Sequence, residues 1–324
     1  MQAFVLNSTG GPSSLKLKEV EEPKIKKNEV LVKNKAIGVN FFDICFRRGQ
    51  YEISEKPAIL GLEACGVIEK VGSIAATDFR VGDRVAYATS GLGAYAEKKA
   101  VSMHDLIVVP DSLTDIQVAG VLHKGLMVHT LLHRVYTAKR AHTILVTAAA
   151  GGVGHLLCQW AKYLGIEVIG TVGTNKKLAF ARNSGCDHVI DISKQNVVQE
   201  VARITKNGGV GAVYDGVGKD TLLQSLQCLR PMGMCVSYGE ASGNIDPLDL
   251  NYLVLNSLYL TRPTLALYKA NRAELTLSAN EVFAAVEKNV LTPQIKTYPF
   301  KDLPKVHKLL ENRGTAGSQV LTFK

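Results

Sequence analysis

One stretch constrains this chain more than any other: residues 144–177, ILVTAAAGGVGHLLCQWAKYLGIEVIGTVGTNKK. An apolar run long enough for one buried strand reaches a turn that holds Gly151, Gly152 and Gly154. A segment with apolar residues at helical spacing follows, and Gly165 ends it before a second apolar run begins. Strand, glycine turn, helix and strand in that order form one right-handed crossover, which sets the two strands parallel. Such a turn lets a ligand's phosphate reach the N–H groups at the helix N-terminus, because glycine has no Cβ to hold it off. The usual pattern is G-x-G-x-x-G. Here Ala149 stands in its first place, Gly151 permits the close phosphate approach, and Gly154 lets the helix pack against the sheet.

The end of the second strand selects among dinucleotides. An Asp or Glu there binds ribose hydroxyls and repels a 2′-phosphate. This chain instead reads Gly170-Thr171-Val172-Gly173-Thr174-Asn175-Lys176-Lys177, with no acid. Glycine and threonine leave room and donors, and a lysine neutralises the phosphate as a point charge. The expected cofactor is therefore NADPH rather than NADH. Lys177 is the first choice for the 2′-phosphate because it opens the next helix, whereas Lys176 can be surface charge alone.

The same rhythm continues. After NKKLAFARNSG come DHVIDI, VVQEVARIT, GAVYDGVG, TLLQSLQCLR and GMCVSYGE, strands alternating with helices, as a doubly wound α/β sheet requires. Residues 1–120 read differently, as mostly β, with EVLVKNKAIGVN, CGVIEKVG and DRVAYAT bounded by turn signals. A helix then begins near Asp115, capped by Thr114 or Asp115. At 324 residues the chain exceeds the roughly 250–300 at which one core stops growing, so two domains are expected. The tail beyond about residue 265 lacks the strand–helix alternation and is expected to return to the first domain.

Composition excludes several classes. The start, MQAFVL, lacks the pattern of a secretory signal, and no run approaches the roughly 18 apolar residues of a membrane span, so the expectation is a cytoplasmic protein without membrane contact. Six scattered cysteines contain no C-x-x-C pair and suggest neither a disulfide framework nor a zinc ribbon. The net charge of +9 favours anionic partners, but no basic run with interleaved aromatics points to nucleic acid.

Several segments together carry a family resemblance: KAIGVNFFD, GLEACGVIEKVG, VGDRVAYA, LGAYAE, LHKGLM, AAAGGVGHLLCQWAK, GTVGT, VYDGVG and LYLTRP. Over essentially its whole length the chain resembles the zinc-independent quinone oxidoreductases of the medium-chain dehydrogenase/reductase superfamily, the group related to zeta-crystallin. The resemblance implies a GroES-like, mostly-β catalytic domain from 1–122 and 265–324, a Rossmann NADPH-binding domain from 123–264, nicotinamide and substrate in a cleft between them, and a homodimer joined through edge strands near SLYLTRPT. Zinc relatives carry Cys at the place of Asn40 and Gly-His-Glu where this chain has Gly61-Leu62-Glu63. Leucine cannot ligate zinc and Asn is a poor ligand, so no metal is expected. Without a Lewis acid, a quinone or an activated enone is a better acceptor than an ordinary alcohol is a donor.

Carried over by position, the resemblance implies catalytic contacts from Asn40 and Asp43. It places Asn40, Phe41, Phe42 and Cys45, with Lys124 and Met127, near the nicotinamide. Gly151, Gly152 and Val153 meet the pyrophosphate, and Gly173, Thr174 and Lys177 hold the ribose phosphate. Ile192, Gly216, Tyr238, Gly239, Glu240, Arg262, Pro263, Thr264 and Arg313 complete the wrap. Two positions depart from the family: Cys45 stands where tyrosine is common, and Ile192 where an aromatic or imidazole is. Cys45 is thus a candidate for alkylation by quinones. The expected activity is NADPH-dependent reduction of quinones by one or two electrons. The alternatives are reduction of α,β-unsaturated carbonyls and a non-enzymatic RNA-binding, crystallin-like role.

Overall fold

The structure, a computed structural model, describes residues 1–323. The chain opens with β1 (Gln2–Leu6), β2 (Leu15–Glu19), β3 (Glu29–Val39), α1 (Phe41–Arg48), β4 (Ala58–Ile59), β5 (Glu63–Val71), β6 (Arg84–Tyr87), β7 (Lys98–Ser102), β8 (Ile107–Val108) and α2 (Asp115–Thr130). The alternating part follows as β9 (Thr143–Val146), α3 (Gly152–Tyr163), β10 (Glu167–Val172), α4 (Leu178–Asn183), β11 (His188–Asp191), α5 (Val197–Ile204), β12 (Val210–Asp215), α6 (Leu222–Gln227) and β13 (Leu229–Ser237). It closes with α7 (Asn251–Val254), β14 (Tyr259–Thr261), α8 (Leu265–Tyr268), α9 (Arg272–Glu287), β15 (Ile295–Pro299), α10 (Leu303–Glu311) and β16 (Ser318–Thr322).

Two compact units result. One comprises Met1–Lys124, Lys269–Glu287 and the chain from Pro293 onward; the other comprises Gly125–Tyr268 and Lys288–Thr292. The short return of Lys288–Thr292 to the second unit differs from the expected boundaries. Its physical basis is a side-chain clasp: Gln159 on α3 accepts from the Thr292 N–H at 2.9 Å and donates to the Thr292 carbonyl at 3.3 Å.

In the first unit, the largest sheet has the order β15-β16-β3-β5-β6-β8, with β7 also on β3; β2-β1-β4 form a smaller one. The tail does return here, since β16 pairs antiparallel with β3. Phe4, Leu6, Val30, Val32, Ile37, Tyr87, Phe300, Leu303 and Leu321 belong to one buried cluster. The β3–β5 register sets Gly38 opposite Glu63, so Asn40, two residues further on, lies at the same end of the sheet. There the chain turns into α1, a helix that the mostly-β reading of this region does not include. Its signals are local: the Asp43 carboxylate accepts from the Asn40 N–H at 2.9 Å, and Gly49 closes the helix in the left-handed region, φ 81°. For α2 the cap is Thr114, whose hydroxyl accepts from the Gln117 N–H at 3.2 Å, while the Gln117 side chain accepts from the Thr114 N–H at 2.9 Å.

The second unit holds a six-stranded sheet of order β11-β10-β9-β12-β13-β14, parallel throughout. Counted from β9, that is the order 3-2-1-4-5-6 of a dinucleotide-binding sheet, in which the order reverses between β9 and β12. Ligands of such sheets bind outside the carboxyl ends of the strands at that reversal.

Candidate active site

At the reversal in the second unit, two turns are knit together. Thr147, just after β9, donates its hydroxyl to Asp215 at 3.2 Å and accepts from the Gly216 N–H at 2.9 Å. Asp215, wholly buried at the end of β12, also accepts from Thr221, Ser225 and the N–H groups of Val217 and Gly218. The glycine turn runs from this anchor. Ala148 takes a left-handed conformation, φ 50°, and its carbonyl accepts from the Gly151 N–H at 2.8 Å. A Cβ on Gly154 would lie 2.4 Å from the Ala148 carbonyl oxygen, so only glycine lets α3 pack this close to the turn. The first N–H groups of α3 have no acceptor in the helix, and Gly151, Gly152 and Val153 are partly open to solvent there.

Beyond β10, a Cβ on Gly173 would meet nothing within 4 Å. Gly173, Thr174 and Lys176 are exposed, and Lys177, half-buried, stands at the N-cap of α4 with its N–H on the Thr174 carbonyl at 3.1 Å. Thus the open space, the hydroxyl and the ammonium-bearing residue share one turn. Tyr238 lies over Gly216, its hydroxyl 2.6 Å from where a Cβ would be, and a Cβ on Gly239 would fall 2.7 Å from the Gly216 carbonyl oxygen. Glu240 accepts from Arg262 at 2.7 Å, which joins the β13 exit to the Pro263-Thr264 segment. Ile192 follows β11 and is 43% exposed. Met127 is half-buried on α2.

In the first unit, the structure brings Asn40, Asp43 and Lys124 together around a residue the sequence reading left without a role, Glu63. Its wholly buried carboxylate accepts from Asn40 Nδ2 at 2.9 Å, Lys124 Nζ at 2.8 Å and the His123 N–H at 2.7 Å. Asp43 is also wholly buried. Its Oδ2 accepts from the Asn40 N–H and from the Tyr95 hydroxyl at 2.6 Å, while its Oδ1 meets no partner. Behind Tyr95 stands His307, whose Nε2 is 3.1 Å from the Tyr95 oxygen, and Arg47 lies 3.4 Å from His307 Nδ1. Arginine only donates, so Nδ1 accepts and Nε2 carries the proton. Arg47 pairs in turn with Glu311 on α10.

Two expectations need correction. Asp43 has no exposed surface, so its place is that of a capping and positioning residue for Asn40 rather than a group that touches substrate. Cys45 is 3% exposed on the inward side of α1, and a thiol buried in this way is shielded from alkylation. The aromatic surface beside it comes from Phe42, 39% exposed, which meets Phe46 edge-on and Tyr51 at a tilt, with ring separations of 5.0 and 4.9 Å. Phe41 is half-buried, and Arg313 is exposed after α10.

Burial pushes the Asp43 carboxyl up to about 7 against the Tyr95 and Asn40 hydrogen bonds. Burial also pulls His307 down to about 3, with Arg47 adding to the effect. The signs oppose. An unfolded aspartate ionises near pH 4 while the folded one holds its proton to about 7, so this contribution falls as pH rises between them. An unfolded histidine gains a proton below about pH 6.5 while the folded one stays neutral, so that contribution is lost as pH falls toward about 3. Between roughly pH 4 and 6.5 the two slopes, each at most about 1.4 kcal/mol per pH unit, offset one another. Asp43→Asn is expected to leave a stability that climbs with pH across this window, and His307→Gln one that declines. Urea unfolding at several pH values checks this; parallel curves for both variants and the parent would refute it.

Residues 152–278 match the family model of the zinc-binding dehydrogenases, and residues 26–111 that of the alcohol dehydrogenase GroES-like domain. The quinone oxidoreductase of Salmonella typhimurium is 42% identical over 96% of this chain and 96% of its own length. The chain belongs to the quinone oxidoreductases of the medium-chain dehydrogenase/reductase superfamily. Its first unit is the GroES-like part of that family and its second the Rossmann part. A 2-haloacrylate reductase from a Burkholderia species is 41% identical, covering 99% of this chain and 98% of that one. The crystal structure of the Escherichia coli quinone oxidoreductase complexed with NADPH matches with a TM-score of 0.97 at 39% identity, covering 99% of this chain and all of that one.

The zinc in the family model's description does not suit the residues found in this chain. Asn40 presents its amide nitrogen to Glu63, Leu62 is apolar, and Glu63 is already engaged by three donors. Among the described residues no three His, Cys, Asp or Glu side chains gather in a way that could hold a metal. The cofactor turns, by contrast, fit a dinucleotide phosphate, because a Cβ at Gly154 is excluded and the space at Gly173 is open.

Proposed function

We propose that this protein is an NADPH-dependent reductase of quinones that works without zinc. The observation that carries the reading is the pairing of a glycine turn at the sheet reversal with Gly173, Thr174 and Lys177 where an acid would select NADH. NADPH, when bound, supplies a hydride from its nicotinamide. The backbone of Gly151, Gly152 and Val153 holds the pyrophosphate, and Thr174 with Lys177 holds the ribose 2′-phosphate. Gly216, Tyr238, Gly239 and the Arg262–Glu240 pair fix the turns at the carboxyl ends of β12 and β13. Asn40, oriented through its Nδ2 by Glu63 and through its backbone by Asp43, presents its amide as the polar contact for nicotinamide or substrate.

A second acceptor class is favoured by the 41% identity to a 2-haloacrylate reductase: conjugated carbonyl compounds, reduced by the same hydride. Following NADPH oxidation with 1,4-benzoquinone and with a 2-alkenal ranks the two. Protein-dependent oxidation with neither acceptor overturns the reading. The site of action is cytoplasmic in this account; among the described residues no helix is long and apolar enough to cross a membrane, and all six cysteines are free thiols.

The functional form is a homodimer joined along β14. This strand ends the six-stranded sheet, and around it Leu250, Val254 and Leu255 are 70%, 69% and 89% exposed, with Tyr259 at 58%. An open strand edge beside so much apolar side chain asks for a cover. Sedimentation is expected to give a dimer, and Leu255→Asp a monomer with an unchanged far-ultraviolet spectrum. A parent protein that sediments as a monomer at micromolar concentration contradicts the assembly.

A further inference from the structure

Lys124 is a cation with more donors than the protein uses. Its side chain is 5% exposed, and its ammonium meets one acceptor among the described residues, Glu63 Oε1 at 2.8 Å. An ammonium has three N–H bonds, so two remain for something else. A buried charged group normally satisfies its donors, because leaving them empty away from water is costly. The position is built rather than incidental. Glu63 is wholly buried and fixed by two further donors, Asn40 Nδ2 and the His123 N–H. Gly38 makes room for it, since a Cβ there would fall 2.2 Å from Glu63 Oε1 and 2.3 Å from the Ala119 carbonyl oxygen. The carboxylate therefore holds Lys124 and Asn40 side by side from one oxygen atom.

We infer that Lys124 is a catalytic residue, whose ammonium donates a hydrogen bond to the acceptor's carbonyl oxygen and stabilises the negative charge that develops there. This role rests on the reading of the chain as an NADPH-dependent reductase of quinones or enones. In that reaction a hydride from NADPH, which becomes NADP⁺, forms a new bond to the conjugated acceptor. The electron pair displaced from the acceptor's π system moves to its carbonyl oxygen, and a proton from water completes the reduced product. Lys124 can keep its own protons throughout; its contribution is a charged donor set in a site where little water competes. It occupies the electrostatic role that a metal ion fills for an alkoxide.

The acceptor's own chemistry provides a readout that a structural role would not move. Benzoquinone disperses the incoming charge over a ring that becomes aromatic, so it depends less on an external donor than a 2-alkenal does. Lys124→Met is expected to lower kcat by about 10²-fold with the 2-alkenal and by much less with 1,4-benzoquinone. Both acceptors are measured at saturating NADPH, so that a change in cofactor affinity does not enter the comparison, and Lys124→Arg recovers most of the loss. Because Lys124→Met leaves a buried carboxylate without its cation, the double variant Lys124→Met/Glu63→Gln is measured beside it and should show the same acceptor-dependent loss. Equal losses with both acceptors in the double variant, or parental kcat values in it, would overturn the role of Lys124 while leaving the reductase reading intact. A parent protein that oxidises NADPH with neither acceptor overturns the reading itself, and the role with it.

Discussion

Lys177→Glu is expected to raise the KM for NADPH by about 10²-fold while changing that for NADH little. A charge-assisted contact to a phosphate contributes about 1.5–3 kcal/mol, and the substitution replaces it with repulsion between two anions. NADH has no 2′-phosphate, so the new carboxylate meets only ribose hydroxyls, which an acid can accept from. The backbone need not change, because the Lys177 N–H on the Thr174 carbonyl closes the turn before α4 and glutamate supplies the same group. An acid at the start of a helix is also compatible with the helix dipole. Kinetics with both cofactors on one preparation decide the matter. If NADPH and NADH lose affinity together, the 2′-phosphate is bound elsewhere.

Gly154→Ala is expected to damage both stability and cofactor affinity. The new Cβ would fall 2.4 Å from the Ala148 carbonyl oxygen and 3.0 Å from Ala149 Cα, both backbone atoms that no rotamer change can move aside. The start of α3 must then lift from the turn that the left-handed Ala148 sets up. Overpacking of this kind costs about 1–3 kcal/mol. The displaced N–H groups no longer converge on a phosphate, so NADPH affinity should fall by at least about tenfold, in line with the loss of a charged hydrogen bond. Gly173→Ala is the control. Nothing lies within 4 Å of its Cβ position, so the fold should keep its melting temperature and only ligand affinity should change. Thermal melts and NADPH titration of both variants test the contrast; an unaltered Gly154→Ala protein would contradict the packing described.

What could be read in the sequence was local. The strand–turn–helix at residues 144–163 announces itself within twenty residues, because glycine spacing and helical periodicity are properties of neighbours. The same holds for the caps: Thr114 with Gln117 was legible, and so in principle was α1, with Asp43 three residues after Asn40 and Gly49 past its last turn. It is hard to read because KAIGVNFFDICF is mostly apolar, and a short apolar run does not separate strand from helix. The polar cluster was illegible for a different reason. Tyr95 lies 52 residues from Asp43, His307 another 212 beyond it, and Lys124 lies 61 from Glu63. Only the return of α10 and the β3–β5 register bring these side chains together, and no spacing rule spans such distances. Family resemblance supplied Asn40, Asp43 and Lys124 singly. It gave no hint of Glu63 as the common anchor of Asn40 and Lys124, or of the neutral His307 that fixes the Tyr95 hydroxyl.

The most direct test of the whole account is a single-turnover measurement on chelator-treated protein mixed with NADPH and 1,4-benzoquinone. Protein-dependent loss of NADPH absorbance is expected, one equivalent per acceptor reduced by two electrons, with NADH far slower at equal concentration and added zinc without effect. No protein-dependent oxidation, or a rate that vanishes with the chelator and returns with zinc, would contradict it.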